Sequence, residues 1–126
     1  IASATGIVRL ARYNLDESNE QSELRYMPNF TAKDVFDLAK KGDTLSVKTI
    51  DEASESLAAM LGEITLTINP ELFVLAGGVC LAGSYLLGKV KEHYPDYVRP
   101  FNTTSDIVIA ELGPDAGIYG AAYLVK

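Results

Sequence analysis

Cysteine and histidine occur once each in the 126 residues, as Cys80 and His93. One thiol excludes an internal disulfide and any multi-cysteine metal site built within the chain. One imidazole, with no second histidine and no evident nucleophile beside it, points to a surface or helix-end role and not to catalysis. Basic charge is also scarce: 11 Lys and Arg stand against 17 Asp and Glu, a net charge of -6. Binding a phosphate backbone needs clustered cations, and the only tight basic pair, Lys40-Lys41, falls at an expected helix end, so nucleic acid is not an expected partner. No apolar run approaches the roughly 20 residues that span a bilayer. The first residues lack the charged-then-apolar layout of a signal peptide. A reducing cytoplasm is the expected location, with no membrane partner. The chain opens on Ile1 and enters a helical pattern at once, which reads as a piece of something longer.

Apolar residues make up 48% of the chain, enough for one domain with a buried core. Ile7, Val8, Leu10, Ala11 and Tyr13 follow helical spacing, with Ser3 or Thr5 as the cap, so a first helix is expected to about Asn14. Leu15 to Phe30 carries Asp16, Glu17, Glu20 and Glu23 against Arg25, contains Pro28, and reads as a solvated loop. Thr31 with Asp34 resembles a capping box and opens a short helix through Val35, Phe36, Leu38 and Ala39 that stops at Lys40-Lys41-Gly42. Asp43 then caps a longer helix. Its apolar positions Val47, Ile50, Ala53, Leu57, Leu61, Ile64 and Ile68 recur at steps of three or four until Asn69-Pro70, a length of roughly 40 Å. Ala58, Ala59 and Gly62 permit another element to approach this helix closely.

The period changes at Leu72. The run from Leu72 to Ala76, closed by Gly77-Gly78, reads as a strand buried on both faces and implies a parallel sheet. A helix is expected from Ala82 to Tyr94, ending before Pro95, then a second buried strand over Ile107 to Ala110. A last helix is expected to open at Asp115 and run through Ala116, Ile118, Ala121, Ala122 and Leu124. Strand, helix, strand, helix is the order of an α/β layer, so the expected class is α/β, helix-rich, with at least two parallel strands. Two strands fall short of the usual sheet of roughly four to six. The sheet reads as incomplete, and the chain is expected to self-associate.

Paired glycines at the carboxyl end of a buried strand allow a ligand to lie against bare backbone where a Cβ would intrude. Gly77 and Gly78 therefore have two readings, a ligand-backing turn or a plain strand-to-helix turn. The GxxxxGK phosphate loop is excluded, because its Lys and hydroxyl are missing after Val79. Asp115 is either a ligand-facing carboxylate or an N-cap. Gly117, Gly120 and Ala121 let the last helix pack closely or slide. Cys80 follows the glycine pair and is equally a small packing residue. No pair of acidic residues is placed by spacing into an acid/base constellation.

Three segments in order, Ile1 to Arg9, Asn69 to Val79 and Leu112 to Ala122, resemble the C-terminal portion of ROK-family sugar kinases, with bacterial glucokinases as the nearest subgroup. The resemblance covers essentially the whole chain. It implies a partial actin-like ATPase (ribonuclease H-like) fold, with residues 1–126 as a single C-terminal lobe fragment and 115–126 as the helix connecting the lobes. On it, Gly77, Gly78 and Val79 back the adenosine of ATP, and Asp115 and Gly117 belong to the inter-lobe connection. Ala76 stands where a third glycine is usual, and Pro114 where Asn is usual; Pro114 removes an amide donor and fixes φ. The family's catalytic Asp, its phosphate-binding Asp-Gly segment and its Cys-rich structural zinc motif are not in this chain and are expected upstream of Ile1. The implied parent is a glycolytic, homodimeric enzyme that transfers the ATP γ-phosphate to the 6-hydroxyl of glucose with Mg, and the implied partners are ATP and glucose. No catalytic residue falls within the chain, which is expected to be inactive alone. Two other classes remain open: the sugar-sensing half of a ROK-type transcriptional repressor, and an α/β interaction domain with no ligand. Upstream sequence distinguishes them.

Overall fold

The structure, a computed structural model, describes residues 4–75 and 84–109 and the backbone of 122–125. Helix α1 spans Ala4–Glu17 and buries Ile7, Ala11 and Asn14. Thr5 lies inside its first turn, and Ser3 is outside the described residues. Tyr13, placed by spacing among the buried positions, is 60% exposed, because the buried face of α1 continues along Ile7, Ala11 and Asn14. Asn14 replaces an apolar contact with a polar one: its Nδ2 donates to Thr49 Oγ1 (3.0 Å) and to Glu52 Oε1 (3.3 Å).

The stretch expected to be a solvated loop is tied down at both ends. Arg25 donates to the carbonyls of Glu20 (2.7 Å), Leu15 (3.1 Å) and Ser18 (2.5 Å), which satisfies oxygens at the C-terminal end of α1. Arg12 donates to the Pro28 carbonyl (2.8 Å) and lies 4.6 Å over the Phe30 ring. A 3-10 turn over Glu23–Tyr26 carries Leu24 inward to 2% exposure. The charges of this segment face water while its backbone is anchored, and charge density alone hid that.

Helix α2, Ala32–Lys40, begins with the expected reciprocal cap between Thr31 and Asp34 and buries Val35, Phe36, Leu38 and Ala39. Gly42 follows at φ +94, a conformation that favours glycine. Helix α3, Thr44–Ile68, has 25 residues and is about 37 Å long. Asp43 caps it and also holds the 3-10 turn: Oδ2 accepts from the Ser46 N–H (3.0 Å) and from the hydroxyls of Ser46 (2.7 Å) and Ser22 (2.9 Å), and Oδ1 accepts from the Glu23 N–H (3.3 Å). Burial opposes ionisation here, but the hydrogen bonds from Ser46, Ser22 and Glu23 outweigh it and hold the carboxyl below the ordinary Asp value. A depressed folded pKa contributes stability above the unfolded value of about 4, lost as pH falls through the folded pKa. The stability difference between wild type and Asp43→Asn is therefore expected to be greatest near neutrality and to shrink as pH falls through the lowered folded pKa, on the order of 1 kcal/mol at its largest. Urea titrations at several pH values check it; a difference independent of pH would show that Asp43 is not held as an ion.

Strand β1, Leu72–Leu75, is central in a three-stranded sheet of order β2-β1-β3, where β2 is Asp106–Ile109 and β3 is Ala122–Val125. Helix α4, Ser84–Val98, connects β1 to β2. The β1 and β2 strands are parallel, as expected, in the register Leu72 to Asp106 through Leu75 to Ile109. Two expectations are corrected here. The sheet is not buried on both faces: Phe73, Leu75 and Ile107 are covered, whereas Val74 is half-buried and Val108 is 39% exposed. Residues 122–125, assigned by pattern to the end of a connecting helix over 115–126, form β3 antiparallel to β1. The sequence Ala-Tyr-Leu-Val contains two β-favouring residues, and the open edge of β1 offers its backbone groups partners. Residues 115–121 of that assignment lie outside the described residues.

Helix α4 also departs from expectation, since it continues through Pro95 to Val98. The proline forfeits one backbone hydrogen bond. Burial of Tyr94 (3% exposed) and Val98 (2%) on either side of it holds the last turn in place. The close approach allowed by Gly62 on α3 is used by this turn: a Cβ at Gly62 would stand 2.6 Å from Tyr97 Cβ.

Candidate functional site

Parallel strands carry their loops out at the same end. Leu75 and Ile109 are direct register partners, so the ends of β1 and β2 lie side by side, about 4.8 Å apart. Leu75 also pairs with Ala122 on its other side. The segments singled out from the sequence, 76–83 with its glycine pair and 110–121 with Asp115, are both attached to the carboxyl edge of the sheet. This is the place where open α/β sheets hold ligands. Gly77, Gly78, Val79, Asp115 and Gly117, with Cys80, themselves lie outside the described residues.

The opposite, amino end of the strands is fastened by a buried polar cluster that no sequence pattern announced. The Tyr94 hydroxyl lies 2.7 Å from Thr65 Oγ1 and accepts the Ser105 N–H at 2.9 Å. The Ser105 hydroxyl donates to the Pro70 carbonyl. The Asp106 N–H donates to the Glu71 carbonyl at 3.2 Å, and Thr103 Oγ1 donates to Asn69 Oδ1 at 2.7 Å. The Tyr94 ring also meets Phe73 edge-on, with centroids 6.4 Å apart. Tyrosine and threonine at helical spacing pass for ordinary core or surface residues in a sequence. Only their convergence on Ser105 distinguishes them.

His93, assigned from sequence to a surface or helix-end role, sits half-buried on α4 with Nε2 2.7 Å from Asp51 Oδ1 on α3. One turn further on α4, the Tyr97 hydroxyl donates to Glu55 Oε1 at 3.3 Å. These contacts join α3 and α4. Two shallow grooves lie elsewhere. One, of about 340 Å³ between α1 and α3, is lined by Arg9, Tyr13, Glu52 and Ser56. The other, of about 400 Å³ beside α2, is lined by Glu23, Tyr26, Asp34, Asp37 and Lys41. Among the described residues no buried side-chain polar atom lacks a partner, and neither groove has a group poised for chemistry. The described residues bring together no three His, Cys, Asp or Glu side chains that could hold a metal ion. No helix among them is long and apolar enough to cross a membrane.

Solved structures share this arrangement. A ROK family glucokinase from Streptomyces griseus, in complex with glucose and AMPPNP, superposes with a TM-score of 0.76 at 21% identity over 89% of this chain and 38% of its own. A putative sugar kinase from Cytophaga hutchinsonii superposes with a TM-score of 0.75 at 19% identity over 91% of this chain and 39% of its own. The shared fold is the actin-like ATPase fold, of which this chain forms a helix-rich α/β part. In sequence, the chain is 38% identical over its whole length to the glucokinase of Halalkalibacterium halodurans, and covers 39% of that protein. It is 35% identical to the glucokinase of Thermotoga maritima, again over its whole length, and covers 41% of it. The chain thus spans about two fifths of the glucokinases it matches. The model of the ROK family matches residues 1–126, and the chain belongs to that family.

Proposed function

We infer that this chain is the C-terminal lobe of an ATP-dependent glucokinase that phosphorylates the 6-hydroxyl of glucose, and that it contributes the adenosine side of the nucleotide cleft. The observation that carries the reading is the attachment of both candidate segments to one edge of the sheet, through the Leu75 and Ile109 pair, in a chain alignable over its whole length with two glucokinases. The comparisons show the ROK family, and the two glucokinase relatives support reading the longer protein as a sugar kinase.

On this reading Gly77, Gly78 and Val79 back the base and ribose, and Asp115 and Gly117 lie where the lobes join. The sugar, the catalytic Asp, Mg and the structural zinc belong to residues outside this chain. In-line phosphoryl transfer rests on positioning and charge neutralisation of the γ-phosphate. The described part of this chain serves the first of these by fixing the strand ends that bear the nucleotide.

The test uses the longer protein and the chain side by side. Gly78→Val in the longer protein is expected to weaken ATP binding by at least a hundredfold, about 2.7 kcal/mol or more, with the thermal unfolding profile nearly unchanged. The 126-residue chain alone is expected to form no glucose 6-phosphate in a coupled assay. Unchanged ATP affinity in the variant, measured by calorimetry, would return the glycine pair to a plain turn. Phosphorylation by the chain alone would refute the assignment of the catalytic group elsewhere.

A further inference from the structure

We propose that the C-terminal half of α3 seats an apolar segment of the longer protein that lies outside this chain, on a ridge formed by Met60, Ile64 and Ile68. The proposal rests on the reading of this chain as part of a longer protein. The three residues recur at steps of four and so follow one line along the helix. Met60 is 46% exposed and Ile68 40%, with Ile64 half-buried between them. Helices α1, α2 and α4 all pack on α3, and each leaves this line bare. α2 spans about 13 Å and is joined to α3 by Lys41, Gly42 and Asp43, so it flanks only the first half. α1 meets Thr49 and Glu52 through Asn14, and its first turns reach Ser56 across the groove lined by Gly6, Arg9 and Tyr13. Ser56 is one turn short of Met60. α4 approaches at Gly62 and Thr65. Gly62 is two residues from both Met60 and Ile64, which at about 3.6 residues per turn puts it across the helix from them.

The apolar line continues into that groove, where Leu10 is half-buried and Tyr13 is exposed. A helix turns its apolar line toward whatever covers it, and among the described residues nothing covers this one. Glu63 and Thr67, exposed beside the ridge, give it the polar margin that borders buried apolar patches. A second copy of the chain has the right chemistry but too little to hold. A stable interface buries roughly 800 Å² on each partner, more than these five part-covered side chains present. A segment of the same polypeptide needs no such area, because its tether keeps it at high effective concentration. The chain covers 39% and 41% of the glucokinases it matches, and 38% and 39% of the two solved structures that share its fold. More than half of such a molecule is therefore available to supply the cover.

The chain has two methionines, Met27 and Met60, and oxidation of a thioether by hydrogen peroxide follows its exposure. Met60 is thus a probe of the seat, and Met27, half-buried beside α2, is the reference. The experiment compares their oxidation, read by peptide mass spectrometry, in the 126-residue chain and in the longer protein. Met60 is expected to react about tenfold more slowly in the longer protein, with Met27 within about twofold in the two. Equal Met60 rates would overturn the proposal. So would protection of Met60 in the chain alone that rises with concentration, since a second copy would then occupy the ridge. If Met27 of the chain reacts as fast as free methionine, the chain is unfolded and the longer protein decides alone. There Met60→Lys is expected to lower Tm by about 5 °C or more, and a shift below about 1 °C would overturn the proposal. The kinase reading fails separately: an unprotected Met60 in a protein that phosphorylates glucose removes only the seat, and a protected Met60 in one that does not removes only the glucokinase.

Discussion

Replacing Phe73 by alanine is expected to cost about 3–5 kcal/mol, the range for deleting a buried aromatic ring. Phe73 is fully buried in the central strand and stands edge-on to Tyr94, so its loss strips the sheet's covered face and the cluster beneath it together. Collapse around the cavity is restricted, because β1 is bonded on both sides, to β2 and to β3. Against a total stability of about 5–15 kcal/mol for a typical domain, the variant is expected to lie near its unfolding midpoint in little or no denaturant. Guanidinium titration followed by circular dichroism measures this. A loss below about 1 kcal/mol, the scale of an exposed-site change, would mean that Phe73 does not pack against Tyr94 of α4 as described.

Gly62→Val is expected to cost a further large amount, about 3 kcal/mol or more, by prising α4 from α3. The introduced Cβ would meet Tyr97 Cβ at 2.6 Å, and a Cβ cannot swing aside as a side-chain tip can. Even Gly62→Ala, which improves intrinsic helix propensity by about 1 kcal/mol, is expected to be destabilising overall. The two origins of the effect are separable by a double-mutant cycle. Tyr97→Ala retains the obstructing atom and is expected to rescue neither variant, whereas Tyr97→Gly removes it and is expected to show a favourable coupling with Gly62→Ala. Rescue by Tyr97→Ala would place the conflict at the ring instead of the Cβ.

What the sequence made legible follows from how local each signal is. The Thr31 and Asp34 cap, the Asp43 cap and the Gly42 stop are satisfied within a few residues of themselves, so pattern and structure agree there. The parallel strands were also legible, as a continuous apolar run followed by a helix. Non-local balances were not. Pro95 breaks a helix by its own chemistry, and only the burial of Tyr94 and Val98 by other elements keeps α4 going. The 15–30 stretch is acidic on its surface, yet Arg25, Arg12 and Asp43 secure its backbone from different places in the chain. Residues 122–125 follow a glycine- and alanine-rich stretch that suggested a helix, yet they read Ala-Tyr-Leu-Val, two of them β-favouring, and pair with the open edge of β1. At the candidate site the glycine pair is visible in the sequence, as is the strand before it. The Tyr94, Thr65 and Ser105 cluster is not, since its members come from α3, α4 and the approach to β2.

The division between a helical first half and a sheet formed last has a consequence for synthesis. Helices α1, α2 and α3 are contiguous, and each packs on a neighbour close in sequence. Contacts of that kind close quickly, on microsecond to millisecond scales. During translation, at roughly 5–20 residues per second, this half has seconds to assemble before β2 and β3 have been made. β1 must wait for its partners. The interval in which a bare edge of β1 is offered to other chains is thus limited to the time taken to make α4, β2 and β3.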